Sequence, residues 1–392
     1  MDGKEVTLTA KITYQVKNQE EDTSLSYEGY ELKWEDQFEG ETLNRDDWNV
    51  ELHDPGWVNN ELQSYVDSPE NIYIEDGSLV LKPVEKVNED GTVSYTSGRV
   101  NTQNKHDFKY GLFEARVKVP EGQGFLPAFW MMPTNENLYG QWPRCGEIDI
   151  MEVLGNDTDT SYGTIHYGNP HSESQGSYTL EEGTFSEEYH VFDVEWEPGK
   201  ISWYVDGKLI HTESSWYSAT EGQGEITYPA PFDQPFYIIL NLAVGGNWPG
   251  NPDETTDIAG SAYYIDYVKV YQKESYDENV TKPVEDVVLR DPDENGRLEF
   301  NMGAAGSTAG IRISNVTLKK TGEIEITEGD KGILADGNYV YNGSFQEGEG
   351  RLGYWDVQKN EGAQVSVTNE NNIRRLMISA PEETSAENPI IV

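Results

Sequence analysis

Short runs of β-branched and aromatic residues, each ended by Gly, Asn, Asp or Pro, recur from Tyr30 to about Tyr271 with no long helical period between them. Leu79–Lys82, Gly111–Val119 and Ile201–Val205 are examples, and the last meets Asp206-Gly207, a strong two-residue hairpin signal. A chain punctuated in this way has one economical solution, two antiparallel sheets packed face to face, so the predicted fold class is an all-β sandwich.

At 392 residues the chain is too long for one ordinary domain. Residues 1–27 hold one alternating run, Val6–Tyr14, followed by a polar stretch, and read as a strand and linker. The main β-rich unit occupies 28–272, a polar and charged linker 273–283, and a smaller β-rich region 284–392. In that last region Arg297–Gly303 and Ile311–Leu318 are strand-like, as are Tyr339–Phe345 and Gly353–Val357.

A net charge of −43 would repel both nucleic acid and an anionic membrane, whereas a neutral polymer would be accepted. A single cysteine excludes an internal disulfide, and no CxxC or paired-His spacing suggests zinc. No stretch approaches the about 18 apolar residues of a membrane span, and no apolar signal region opens the chain. This leaves a cytoplasmic protein or a trimmed secreted one. The 24 Tyr and 10 Trp supply rings that can stack on sugars, although a sandwich core uses many such rings by itself.

The most unusual strand is Gly146-Glu147-Ile148-Asp149-Ile150-Met151-Glu152-Val153, three acids in an aliphatic run. Acids fill 71 of 392 positions, so the spacing alone is not specific. The context is, because charges are costly to bury without a purpose. Strict alternation puts Glu147 and Asp149 on one face and Glu152 on the other. A β-bulge near Ile150-Met151 would return Glu152 to the face of the other two. The two Glu Cα atoms would then lie about 13 Å apart. Side chains leaning together could bring the carboxyls to about 5–5.5 Å, the separation used by retaining glycosidases.

The segment Trp142–Glu152 resembles the active-site signature of glycoside hydrolase family sixteen, in the laminarinase-like branch that keeps the bulge residue. Trp57–Gln63, Ser97–Val100, Pro127–Pro133, Ile165–Gly168 and Asn241–Gly250 are similar to further blocks of that family, with Val58 standing where Gly is usual. The resemblance covers roughly residues 30–272. It implies a concanavalin-like β-jelly-roll with a cleft across one sheet, and a retaining endo-β-glucanase acting on β-1,3-glucan such as laminarin or on mixed-linkage β-1,3-1,4-glucan. It also favours secretion, and a monomer whose partner is the polysaccharide. A non-catalytic glucan-binding lectin and a transglycosylase on the same fold remain as alternatives. The C-terminal blocks resemble pieces of family-four-type carbohydrate-binding modules, in an order that fits either a fragment or a permuted sandwich.

Residue by residue, the resemblance makes Glu147 the nucleophile, Glu152 the general acid/base and Asp149 the group that orients the nucleophile. The competing reading of the trio is a calcium-binding cluster, which would suit loops better than a strand. Trp130, Trp142 and Trp248 are expected to stack on sugar, and Asn60 and Arg99 to contact its hydroxyls. His166 is expected to hydrogen-bond near the acid/base or to be structural. Cys145 reads as a packed thiol. No organic cofactor is expected. A structural Ca²⁺ is implied at Glu35, the backbone of Gly77 and Asp266, where ordinary solvated acids are the alternative.

Overall fold

The computed structural model describes residues 25–220, 224–283, 300, 311–317, 340–359, 363–379 and 392. The expected strand at Val6–Tyr14 and most of Arg297–Gly303 lie outside the described residues.

Two eight-stranded antiparallel sheets make the body. In one, the site sheet, the order is Ser172–Thr179, Thr160–Tyr167, Glu147–Val153, Phe125–Pro133, Phe236–Val244, Arg99–Asn101 and Asn49–Val50, with Asp107–Phe108 also pairing with Phe236–Val244. In the other, the supporting sheet, it is Lys208–Glu213, Lys200–Val205, His190–Glu197, Gly111–Lys118, Tyr263–Lys273, Ser78–Leu81 and Ile72–Glu75, with Tyr30–Asp36 also on Tyr263–Lys273. The expected all-β jelly-roll sandwich is the observed fold. The Asp206-Gly207 turn is also as read. Both residues adopt positive φ (49° and 76°), and Val205 pairs with Lys208 across the hairpin.

Between the sheets lies one continuous apolar core. Trp48, Trp196, Trp203 and Trp216 are all fully buried in it, beside Phe113, Phe125, Phe129 and Phe192. Most of the aromatic richness is therefore packing. The remaining large rings matter for the opposite reason, since Trp57, Trp142 and Trp248 stay 49%, 48% and 43% exposed.

The C-terminal region builds a separate small core from Phe345, Ala363, Leu376, Ile378 and Val392, over a three-stranded sheet of Ile311–Ile313, Ile373–Ser379 and Gln364–Glu370. It docks on the hairpin Ser218–Thr220/Gly224–Ile226 and the residues after it: Tyr228 N donates to Gln346 Oε1 at 2.8 Å, and Ser344 Oγ to Glu225 Oε2 at 2.6 Å. Two expected strands there need correction. Val340–Phe345 and Gly353–Val357 form turns and irregular chain, not strands. The cause is the Asn342 side chain, whose amide donates to the carbonyls of Glu347, Arg351 and Gly353 while its oxygen accepts from the N–H groups of Gln346 and Glu347. Such local bonds replace a strand ladder. Positive φ at Asn342, Phe345, Arg351 and Tyr354 follows from the same coiling.

Candidate active site

Strand Glu147–Val153 carries the bulge expected of it. Against Phe125–Pro133, Met151 faces Phe129 and Asp149 faces Trp130, so Ile150 has no partner. Against Thr160–Tyr167, the register slips between Asp149 and Glu152. Ile148, Ile150, Met151 and Val153 all enter the core, two of them consecutive, and Glu147 and Glu152 emerge together on the outer face. Two features across the sandwich hold this kink. The indole Nε1 of Trp203, from the supporting sheet, donates to the Asp149 carbonyl at 2.8 Å. Gly163, on the neighbouring strand, leaves space for that indole, since a Cβ at 163 would lie 2.4 Å from Trp203 Cδ1.

A groove of about 600 Å³ runs over this face, with Glu147, Glu152, Tyr162, His166, Glu173 and Trp248 among the groups in its walls. Asp149 lies beneath, 3% exposed, its Oδ2 without a hydrogen bond. The nearest cationic candidate is His166, whose Nε2 is 3.3 Å from Asp149 Oδ2 and 3.8 Å from Glu147 Oε1. Asp149 is buried and Glu147 and Glu152 are part-buried on the same strand, so desolvation and like charge oppose ionising all three. Burial, with the charge of Asp149 beside it, pushes Glu147 up to about 8, while His166, Arg99 and a hydrogen bond from Trp142 act in the opposite direction. Burial, then the charges of Asp149 and Glu147, raises Glu152 well above the usual carboxyl range. Glu147 is thus the better supplied with partners for a negative charge, and Glu152 is the better placed to retain a proton.

The remaining expected site residues divide. Trp142 and Trp248 line the groove, the latter edge-on to Tyr162 at 5.2 Å. Trp130 is half-buried and ties Nε1 to Asn241 Oδ1 at 2.7 Å, with the Arg99 guanidinium 4.8 Å above its ring. Arg99 itself is buried, and its Nε donates to Glu51 Oε2 at 2.8 Å. Arg99 is not among the groups lining the groove, and its charge acts on Glu147 from behind the wall. Asn60 likewise turns away, giving its amide to Asn247 Oδ1 at 2.8 Å and so tying the 57–62 loop to the 245–250 loop. Its neighbours Asn59 and Glu61 face the groove instead. Val58 is tolerated because the left-handed residues of that turn are Asn59 and Asn60 (φ 50° and 56°), closed by Glu61 N on Val58 O.

Sequence reasoning missed Glu61, although it stands in a quoted block, and missed Glu173, the cross-strand neighbour of His166. Cys145 is a buried free thiol, raised to about 12 by burial and the nearby charges of Glu136 and Glu147, and is therefore inert. At the implied calcium ligands both carboxylates already hold protein partners. The Asp266 carboxylate is taken by Arg116 at 2.6 Å, and Glu35 accepts from the Gln37 amide at 2.7 Å. A guanidinium already neutralises Asp266, where a cation would need it free.

The family model for glycosyl hydrolases family 16 matches residues 59–269, more than half of the chain. The chain belongs to glycosyl hydrolase family 16. It is accordingly a glycoside hydrolase. The chain is 40% identical over 271 residues to a glucan endo-1,3-beta-glucosidase A1 of Niallia circulans, covering 64% of this chain but only 39% of that protein. It is 39% identical over 261 residues to a glucan endo-1,3-beta-glucosidase of Cryptopygus antarcticus, covering 63% of this chain and 93% of that one. Among solved structures, the catalytic domain of an endo-1,3-beta-glucanase (laminarinase) from Thermotoga petrophila RKU-1 superposes with a TM-score of 0.53 at 40% identity, over 63% of this chain and 99% of that one.

Proposed function

We propose that the protein is a retaining endo-β-glucanase that hydrolyses internal bonds of β-1,3-glucan or mixed-linkage β-1,3-1,4-glucan. The observation that carries this reading is the bulged strand, which sets Glu147 and Glu152 in the wall of one groove with Asp149 buried between them. Glu147 attacks the anomeric carbon as a carboxylate while the glycosidic C–O bond breaks, and Glu152 gives its proton to the departing oxygen. Water then yields a proton to Glu152 and attacks the same carbon, releasing Glu147, so two inversions return the original configuration. Burial, and then the adjacent charge of Asp149, raises Glu152, as an acid of this role requires. Trp142 and Trp248 offer exposed ring faces for sugars along the groove.

The glucan assignment draws on the relatives described as endo-1,3-beta-glucosidases. A net charge of −43 agrees with a neutral polymer. Secretion belongs to the same reading, since a polymeric glucan is met outside the cell. Reducing-end release on laminarin, lichenan and agarose tests it, alongside the anomeric configuration of the first product. Glu147→Gln and Glu152→Gln should each lower laminarin turnover by about 10²–10⁴-fold with the fold intact. Near-normal turnover in either variant, or an initial product of α configuration, would overturn the assignment.

A further inference from the structure

We propose that His166, His171 and Glu173 form a binding site for a divalent transition-metal ion of the Zn²⁺ class at the rim of the groove. Adjacent strands bring the three together, and the His166/His171 pair, five positions apart, corrects the expectation that no paired-His spacing suits zinc. His166 and Glu173 face each other across the ladder between Thr160–Tyr167 and Ser172–Thr179, and His171 lies in the turn that joins them. Tyr217 fixes that turn, donating its hydroxyl to Pro170 O at 2.8 Å and packing where a Cβ on Gly168 would otherwise stand.

Two of the three donor separations suit a small ion, and the third needs only a turn of the exposed Glu173 or His171 side chain. His166 Nδ1 is 3.1 Å from His171 Nε2 and 3.4 Å from Glu173 Oε2, and one ligand atom from each residue falls within 4.8 Å of the others. A tetrahedral ion with bonds of about 2.0–2.1 Å needs its donors about 3.3–3.4 Å apart. Two imidazoles with one carboxylate select a borderline-soft ion over Ca²⁺ or Mg²⁺, and leave a fourth position for water.

A second, independent feature is the other face of His166. Its Nε2 stands 3.3 Å from Asp149 Oδ2, an oxygen that is buried and without a hydrogen bond. A carboxylate behind a ligating histidine keeps the proton on the far nitrogen and aims the lone pair at the metal. Asp149 is positioned to do this through Nε2, leaving Nδ1 open toward His171 and Glu173.

An ion held there adds positive charge beside Glu147 and narrows the wall shared with Trp142, whose ring lies 5.0 Å from that of His171. Loss of turnover on Zn²⁺ addition rests on the glycosidase reading, whereas binding does not. Calorimetric titration with Zn²⁺ under excess Ca²⁺, which occupies the general acidic surface, should show one saturable site per chain. Co²⁺ should give the intense visible absorption of a tetrahedral centre. His171→Ala, at an exposed turn position, and Glu173→Gln should each weaken Zn²⁺ binding at least tenfold and abolish the Co²⁺ band. Affinity within twofold of the parent in His171→Ala, or no saturable site above the Ca²⁺-masked background, would overturn the proposal. A protein that binds Zn²⁺ as described but cuts no glucan would sink the glucanase reading and leave the metal site standing.

Discussion

Gly163→Ala probes how the two sheets cooperate to shape the acid strand. Position 163 lies opposite the bulge and faces the fully buried Trp203. An added methyl would sit 2.4 Å from Trp203 Cδ1 and 2.9 Å from its Nε1, so the indole must move. It has little room, being stacked on His211 at 5.1 Å and enclosed by the core. Overpacking of this kind costs about 1–3 kcal/mol. Movement also breaks the bond to the Asp149 carbonyl, and a buried carbonyl left unpaired costs about 1–3 kcal/mol more. The sum of about 2–6 kcal/mol corresponds to a melting temperature lowered by about 5–20 °C for a unit of this size. Turnover should fall as well, because Asp149 loses the contact that fixes its place between the two glutamates. Thermal unfolding and laminarin kinetics would be compared for Gly163→Ala, Trp203→Phe and the double variant. If the alanine acts through the indole hydrogen bond, the two changes are not additive. Strict additivity, or a single variant within about 2 °C of the parent and equally active, would refute the reasoning.

Other consequences are simpler to check. Since Glu147 and Glu152 are raised in the fold while unfolded carboxyls ionise near about 4.3, the folded chain holds more protons above that value. Their effect on stability is therefore neutral at low pH and increasingly unfavourable as pH climbs to about 8 for Glu147. Glu147→Gln should raise the melting temperature more at pH 8 than at pH 5, and an equal rise at both would contradict the burial argument. Arg99→Met leaves the part-buried Glu51 with Asn101 and His53 but without its guanidinium, and should lose about 1–3 kcal/mol in denaturant titration; an unchanged midpoint would mean the pair is not structural. Trp142→Ala and Trp248→Ala remove exposed rings, so melting should barely move while KM rises about 2- to 12-fold, the worth of a stacked ring at about 0.5–1.5 kcal/mol.

What could be read from the residues, and what could not, separates along one physical line. Alternation and turn chemistry are local, so the sandwich, the Asp206-Gly207 hairpin and the bulge at Ile150 were all legible before any partner strand was known. Side-chain destinations are set by neighbours distant in sequence, and there the reading failed. Arg99 turned inward because the pairing of Asn49–Val50 with Arg99–Asn101 delivers Glu51 to its guanidinium, 48 positions upstream. Asn60 yielded its expected place to Asn59 and Glu61 because two consecutive left-handed residues rotate the turn, which the shared polarity of the pair concealed. Asp266 found Arg116 across the sheet before any cation could claim it. The local rule has its own exception in Asn342, a short polar side chain that outcompetes a strand for the backbone around it. The acid trio was legible for the opposite reason. Its six-residue span carries both the charges and the odd apolar residue that bends them onto one face, so no remote partner had to be guessed.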